Sequence, residues 1–305
     1  MSRRSKGYLI AGMGIAFWST TGVIMSHLFT QYGISVLLLQ FWRNTLVCVA
    51  LIPTLYLLKR SLLHLNATQI GFYVLYGLVL ALFNLIWALS VRTNGAAVGT
   101  VLGFSSAGFT VLIAWWLFRE PLGVAKILAV ILSLTGCVMV SNAYRAEMWK
   151  LNPVGVLTGL FSGLLFAGYN LMGKEAARRK LSAWTCLLYS FAISAAFLLL
   201  FNHIPALSRT AGSPGVFVPS MPLRGWLILI AFAFIPTLFG FGLFNLSLNY
   251  LPAGVASLLA TAEPVMTTTL AYVFLHERMT LVQIAGSLVI LSAVLLVGRE
   301  KGTSH

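Results

Sequence analysis

The sequence contains no aspartate; its six acidic residues are all glutamates. An aspartyl-protease pair is thereby excluded, and HERMT at 276–280 lacks the second histidine of a zinc-binding HExxH helix. Ser162 stands outside any GxSG frame, and no phosphate-binding loop occurs, so neither serine hydrolysis nor ATP turnover is expected. The three cysteines, Cys48, Cys137 and Cys186, lie in separate apolar stretches without CxxC spacing. They read as small buried residues rather than metal ligands or redox groups. No catalytic residue, metal or cofactor is expected. Charged residues make up only 9% of the chain against 59% hydrophobic, too little polar surface to cover a soluble globule of 305 residues.

What is present in quantity is apolar sequence. Stretches of about 20 such residues, the length that spans a bilayer as helix, recur ten times. They lie near 7–29, 34–58, 69–91, 94–118, 122–141, 152–173, 182–201, 223–247, 252–275 and 279–298. The runs do not alternate with period two, which disfavours a β-barrel. Residues 2–6 resemble the start of a signal peptide, but the apolar run that follows is too long and lacks a small-residue cleavage pattern, so it reads as a retained first span.

The net charge of +14 does not point to nucleic acid, because the basic residues are dispersed in short loops. With both termini inside, the inner segments hold thirteen: Arg3, Arg4, Lys6, Lys59, Arg60, Arg119, Lys126, Lys174, Arg178, Arg179, Lys180, Arg299 and Lys301. The outer segments hold six: Arg92, Arg145, Lys150, Arg209, Arg224 and Arg278. This bias predicts cytoplasmic termini. The twentieth basic residue, Arg43, falls inside the second span.

The chain also repeats itself. SVRTNGAAVGTVLGFSSAGFTVLIAWWLFRE (90–120) aligns without a gap on SLNYLPAGVASLLATAEPVMTTTLAYVFLHE (247–277), at an offset of 157. IAFWSTTGVIM (15–25) pairs more loosely with GLLFAGYNLMG (163–173), at an offset of 148. Five spans per copy is an odd number, so the copies enter the membrane in opposite senses. The expected fold is an all-α integral membrane protein of ten transmembrane helices in two inverted five-helix repeats, residues 1–147 and 148–305. Inverted repeats are a common transporter architecture, since two similar halves can exchange packing on opposite sides. The competing reading is a duplication that merely enlarged a helix bundle.

Glu263 is the one acidic residue deep within a span, where an ionisable group costs about 2.5–3.5 kcal/mol on insertion scales. It should face a cavity or a partner. The equivalent residue of the first copy is Ser106, so the helix itself does not require the acid. Pro264 removes a backbone donor and leaves the Ala260 carbonyl free within the span. Two readings stay open: Glu263 borders a cavity and takes part in substrate binding or proton coupling, or it is neutral and structural beside a local kink. Arg43 is its best candidate partner, since at about 1.5 Å rise per residue the two lie roughly 14 and 18 Å below the outer membrane surface. The alternative is an Arg43 that snorkels outward or holds helix ends. Other polar or aromatic candidates are Gln40, Asn44, Asn84, Asn170, Ser247, Tyr169 and Tyr189. Pro236, with Gly240 and Gly242, is a candidate hinge in the eighth span. Glycines at four-residue spacing, Gly95, Gly99 and Gly103 and again Gly155, Gly159 and Gly163, read as close helix packing.

Taken together, the two five-helix halves, a glutamate closing each fourth helix (Glu120, Glu277), EPV in the ninth span, FWRN (41–44) in the second and FWST (17–20) in the first resemble the EamA-type branch of the drug/metabolite transporter superfamily. The resemblance covers almost the whole chain. It implies a bacterial inner-membrane exporter or exchanger of small metabolites with a central cavity between the halves. Trp18, Trp87 and Asn245 belong with the polar and aromatic candidates above, and the resemblance favours them because in that family spans one, three and eight line the cavity. The expected function is secondary transport of a small polar or amphipathic organic metabolite such as an amino acid, with protons as the candidate coupling ion. A lipid or carrier-lipid flippase of the same superfamily is the alternative. A channel is disfavoured, because no polar stripe runs the length of several spans.

Overall fold

The computed structural model describes residues 3–94, 96–145, 153–210, 217–275 and 280–299, and among them every regular element is helical. The first span is made of α1 (Arg3–Trp18) and α2 (Thr21–Tyr32); the second and third are α3 (Val36–Lys59) and α4 (Ile70–Asn94). The fourth comprises α5 (Ala96–Phe104) and α6 (Ser106–Phe118), and the fifth is α7 (Val124–Val140). The sixth and seventh are α8 (Pro153–Arg178) and α9 (Ala183–His203), followed by the short α10 (Pro205–Thr210). The eighth joins α11 (Leu223–Phe232) through a π-helical segment, Ala233–Phe241, to α12 (Gly242–Ser247). The ninth comprises α13 (Ala253–Ala260) and α14 (Glu263–Leu275), and the tenth is α15 (Leu281–Arg299). By length and composition, six of the described stretches can each cross a membrane unaided; the fifth and tenth positions hold shorter apolar helices, and the first and ninth are each assembled from two helices.

Contacts between spans give their relative directions. Tyr76 meets Tyr169 and Phe83 meets Phe166, so the third and sixth spans are antiparallel. Asn44 bonds to Ser194 and Cys48 to the Leu188 carbonyl, which sets the second span against the seventh in the same way. Gly136 abuts Ile290 while Gly286 abuts Met139, which opposes the fifth and tenth. In the fourth and ninth, Val111 lies on Gly254 and Phe104 clusters with Ala262. Three counterpart pairs, the second and seventh, the fourth and ninth and the fifth and tenth, therefore run head to tail, as an inverted repeat requires. The repeat extends to a helix start: α6 begins at Ser106 and α14 at Glu263, 157 residues apart. The boundary at 147/148 lies outside the described residues, as do Gly95 and Glu277.

Where hydropathy reads continuous apolar stretches, the structure interrupts the first, fourth and ninth spans. Side-chain hydroxyls, which a hydropathy average hides, stand at each interruption. The hydroxyls of Ser105 and Thr261 donate to the carbonyls three residues back, Leu102 and Leu258, each at 2.6 Å. Those of Ser19 and Thr20 do the same to Ala16 and Phe17, at 2.7 and 2.8 Å. The carbonyl of Ser19 accepts from Thr267 of the ninth span at 2.9 Å. Such partners matter because hydrocarbon offers exposed backbone none. Pro264 accordingly does not kink a continuous helix: it sits in the first turn of α14, where N–H groups lack intrahelical partners anyway. Pro236 lies inside the π segment. The Phe232 carbonyl, four residues before this proline, accepts the Thr237 hydroxyl at 2.9 Å in place of the missing N–H.

The chain ends of several spans are tied at the face where α1 begins, termed here the N-face. Glu120 caps α13: the backbone N–H groups of Ala253 and Gly254 donate to its two carboxylate oxygens at 2.9 and 3.5 Å. Lys126 approaches the same carboxylate at 3.9 Å. Lys174 donates to the carbonyls of Leu248 and Leu251 at 3.1 and 2.8 Å, and Arg3 to that of Asn249 at 3.3 Å. The connection between the eighth and ninth spans is thus held from both sides. At the fifth and tenth spans the backbones approach so closely that a Cβ on Gly136 would come within 2.8 Å of the Gly286 carbonyl. Replacing Gly136 by leucine is expected to cost about 1–3 kcal/mol, read as a lower thermal unfolding midpoint of detergent-purified protein. Gly12→Leu, at a position with nothing within 4 Å, should stay near wild type. Equal midpoints for the two variants would contradict the close crossing. In the same assay Glu120→Ala should cost about 0.5–2 kcal/mol through loss of the cap.

Candidate functional site

The interruptions converge on one place. A part-open cavity is lined by Trp18 and Thr21 on either side of the break in the first span, by Gly103 and Phe104 at the break in the fourth, and by Glu263 at the break in the ninth. Phe241, the last residue of the π segment, also faces it, together with Arg43, Phe83, Asn84, Trp87 and Phe166. Helix interruptions at membrane depth are tolerated where they border protein or water, so their convergence on a cavity follows from the same backbone accounting that permits them.

The walls are mainly aromatic. Trp18 packs on Phe166, Phe241 and Phe244 with ring centroids 5.4, 4.5 and 5.5 Å away. Phe166 stacks on Phe83 at 4.7 Å. Roughly one turn nearer the N-face, a polar link joins three spans: the Tyr76 hydroxyl donates to Asn245 Oδ1 at 3.3 Å, and Asn245 Nδ2 donates to the Tyr169 hydroxyl at 2.8 Å. The link thus lies on the N-face side of the aromatic wall.

The polar lining is sparse and carries both signs. Arg43, 3% exposed, donates from Nη2 to Asn84 Oδ1 at 2.9 Å and from Nε to Asn44 Oδ1 at 3.4 Å. Its guanidinium lies 5.7 and 5.9 Å from the ring centroids of Phe232 and Phe241. Glu263 is partly exposed to the cavity and makes no hydrogen bond or ion pair with the described residues. Arg43 and Glu263 therefore border the same space without pairing with each other.

Of the candidates named from sequence, Glu263, Arg43, Trp18 and Trp87 are brought together here. Asn245 is not among the lining residues; it forms the link on the N-face side, beside a smaller pocket that it shares with Tyr76 and Cys186. Pro264 adjoins the cavity through its neighbour Glu263, and Pro236 is buried in the π segment that ends at Phe241. Phe83, Phe104, Phe166 and Phe241 carried no signal in sequence, since a phenylalanine in an apolar run looks the same whether it lines a cavity, packs in the core or meets lipid. Thr21 and Gly103 could have been found from the serines and threonines that mark the breaks. Glu120 serves as a helix cap remote from the cavity lining.

A family model for the EamA-like transporter family matches residues 5–142 and 153–299. An uncharacterized transporter of Archaeoglobus fulgidus is 28% identical over 225 residues, 72% of this chain and 75% of that protein. A probable terminal-alkyne amino-acid exporter of Streptantibioticus cattleyicolor is 49% identical over a short stretch of 53 residues, 17% of this chain and 18% of that protein. Among solved structures, one crystal structure superposes with a TM-score of 0.78 at 18% identity, covering 96% of both chains, which bears on the fold alone. With an inverted ten-span architecture, interrupted helices around a shared cavity and both halves matched by the family model, the chain belongs to the EamA-like transporter family.

Proposed function

We propose that this membrane transporter moves a small polar or amphipathic organic metabolite, such as an amino acid, as an exporter or exchanger. The cargo binds in the cavity bordered by Glu263, Arg43, Trp18 and Trp87, and residues 1–147 and 148–305 rock about it as two units. The observation that carries this reading is a single cavity holding one carboxylate and one guanidinium, unpaired with each other, within aromatic walls. A solute with a cationic pole, an anionic pole and an apolar body would satisfy all three features at once. The exporter named among the relatives handles an amino acid, which agrees with that chemistry over a short shared stretch.

Alternating access requires that closure toward the N-face be reversible. The Tyr76–Asn245–Tyr169 link and the aromatic layer above it are the contacts that would part, with the π segment around Pro236 and the break before Pro264 as the places where backbone can flex. The excess of lysine and arginine at this face supports placing it, and both termini, in the cytoplasm of a cell whose inner membrane holds the protein. Glu263, with no counter-ion among the described residues, is the group best placed to exchange a proton as the cavity turns from one side to the other.

Purified protein in liposomes, loaded with radiolabelled metabolite pools and assayed with and without an imposed pH gradient, tests the reading. Wild type should accumulate or exchange at least one amphipathic metabolite. Glu263→Gln should lower the gradient-driven rate by about tenfold or more while leaving residual exchange insensitive to the gradient. Unchanged rate and unchanged gradient dependence in that variant would remove Glu263 from the site.

A further inference from the structure

We propose that Arg43 and Asn84 together form a subsite for an oxyanion carried by the cargo, with Asn84 as the residue that makes it selective. This rests on reading the cavity as the transport site. A guanidinium only donates hydrogen bonds, so the amide of Asn84 must present its oxygen to Arg43, and does so at 2.9 Å. That fixes the other end of the amide as a donor. Asn84 Nδ2 is buried and has no partner, although the residue lines the cavity.

Asn44 provides the contrast. Its oxygen accepts from Arg43 Nε and its nitrogen donates to Ser194 Oγ at 3.0 Å, so both halves of its amide are used, and it does not line the cavity. Asn44 positions the guanidinium; Asn84 positions it and keeps one donor in reserve. Arg43 Nη1 likewise makes no hydrogen bond to a described residue. No carboxylate among the described residues lies within 4.0 Å of Arg43.

Two neutral amide oxygens and two phenylalanine faces orient a buried cation but do not neutralise it. A buried unpaired donor is costly, and a buried uncompensated charge more so. What completes the arrangement is a group with a negative charge and at least two acceptor oxygens, one for Arg43 Nη1 and one for Asn84 Nδ2: a carboxylate or a phosphate. Glu263 borders the same cavity and is free for the opposite pole.

Thermal unfolding of the purified full chain, titrated with probes that differ only in their poles, tests the subsite. Leucine carries both poles, 4-methylpentanoate only the anionic one and isoamylamine only the cationic one; inorganic phosphate is the second oxyanion. In wild type, leucine and at least one oxyanion probe should raise the midpoint at concentrations where isoamylamine does not. Asn84→Ala should weaken the oxyanion probes by about tenfold. Asn84→Asp, which sets a permanent carboxylate against Arg43, should abolish their effect and let isoamylamine stabilise instead, a gain that also proves the variant folded. Phosphate acting where 4-methylpentanoate does not would assign the subsite to phosphate-bearing cargo.

Stabilisation of wild type by isoamylamine alone, by none of the probes, or to the same extent by oxyanions in Asn84→Asp would overturn the subsite. Glu263-dependent transport of an amine or uncharged solute in liposomes would then leave the transport reading standing, whereas absence of any transport would overturn that reading instead.

Discussion

Backbone and charge in a hydrocarbon layer both demand partners, and in this protein the two demands are met in one place. Continuous helices would satisfy every peptide group but would leave no opening between the repeats. The first, fourth and ninth spans instead break in mid-course, where serine and threonine hydroxyls take up carbonyls that the interrupted ladders release. Around those breaks lies the cavity that can hold Arg43 and Glu263, two groups that would each cost about 2.5–3.5 kcal/mol if turned to lipid. Neither the breaks nor the charges could persist without the other structure around them.

Duplication explains why the breaks meet. The second helices of the fourth and ninth spans, α6 and α14, begin at equivalent residues, and because the copies are inverted their interruptions fall at similar depth from opposite directions. The chemistry at the paired positions has nevertheless diverged: Ser106, buried, opens α6 and Glu263 opens α14. The first span is broken, whereas its counterpart α8 runs unbroken from Pro153 to Arg178. The eighth contains a π segment, whereas its counterpart α4 does not. A symmetric frame thus carries an asymmetric cavity lining.

Much of this was legible before any coordinates. The spans, the odd-numbered repeat and the isolated depth of Glu263 and Arg43 follow from hydropathy, alignment of the chain with itself and the cost of burying charge. Azimuth is what sequence withholds. Depth alone placed Arg43 near Glu263, yet the guanidinium turns to Asn44 and Asn84. Asn245 stood in a span expected to line the cavity, yet it points to the tyrosine link one turn away. Pro264 signalled an interruption, but the hydroxyl of Thr261 marks where it falls. The phenylalanines of the wall were invisible because hydropathy assigns one value to a ring regardless of what it faces.

The central claim is that Glu263 looks into water reachable from a membrane face rather than into lipid. Replacing Cys48, Cys137 and Cys186, introducing Glu263→Cys, and exposing oriented vesicles to a membrane-impermeant thiol reagent tests it directly. Labelling is expected from the face opposite the N-face. Labelling only by a lipid-soluble maleimide, with none by the impermeant reagent from either face, would contradict it.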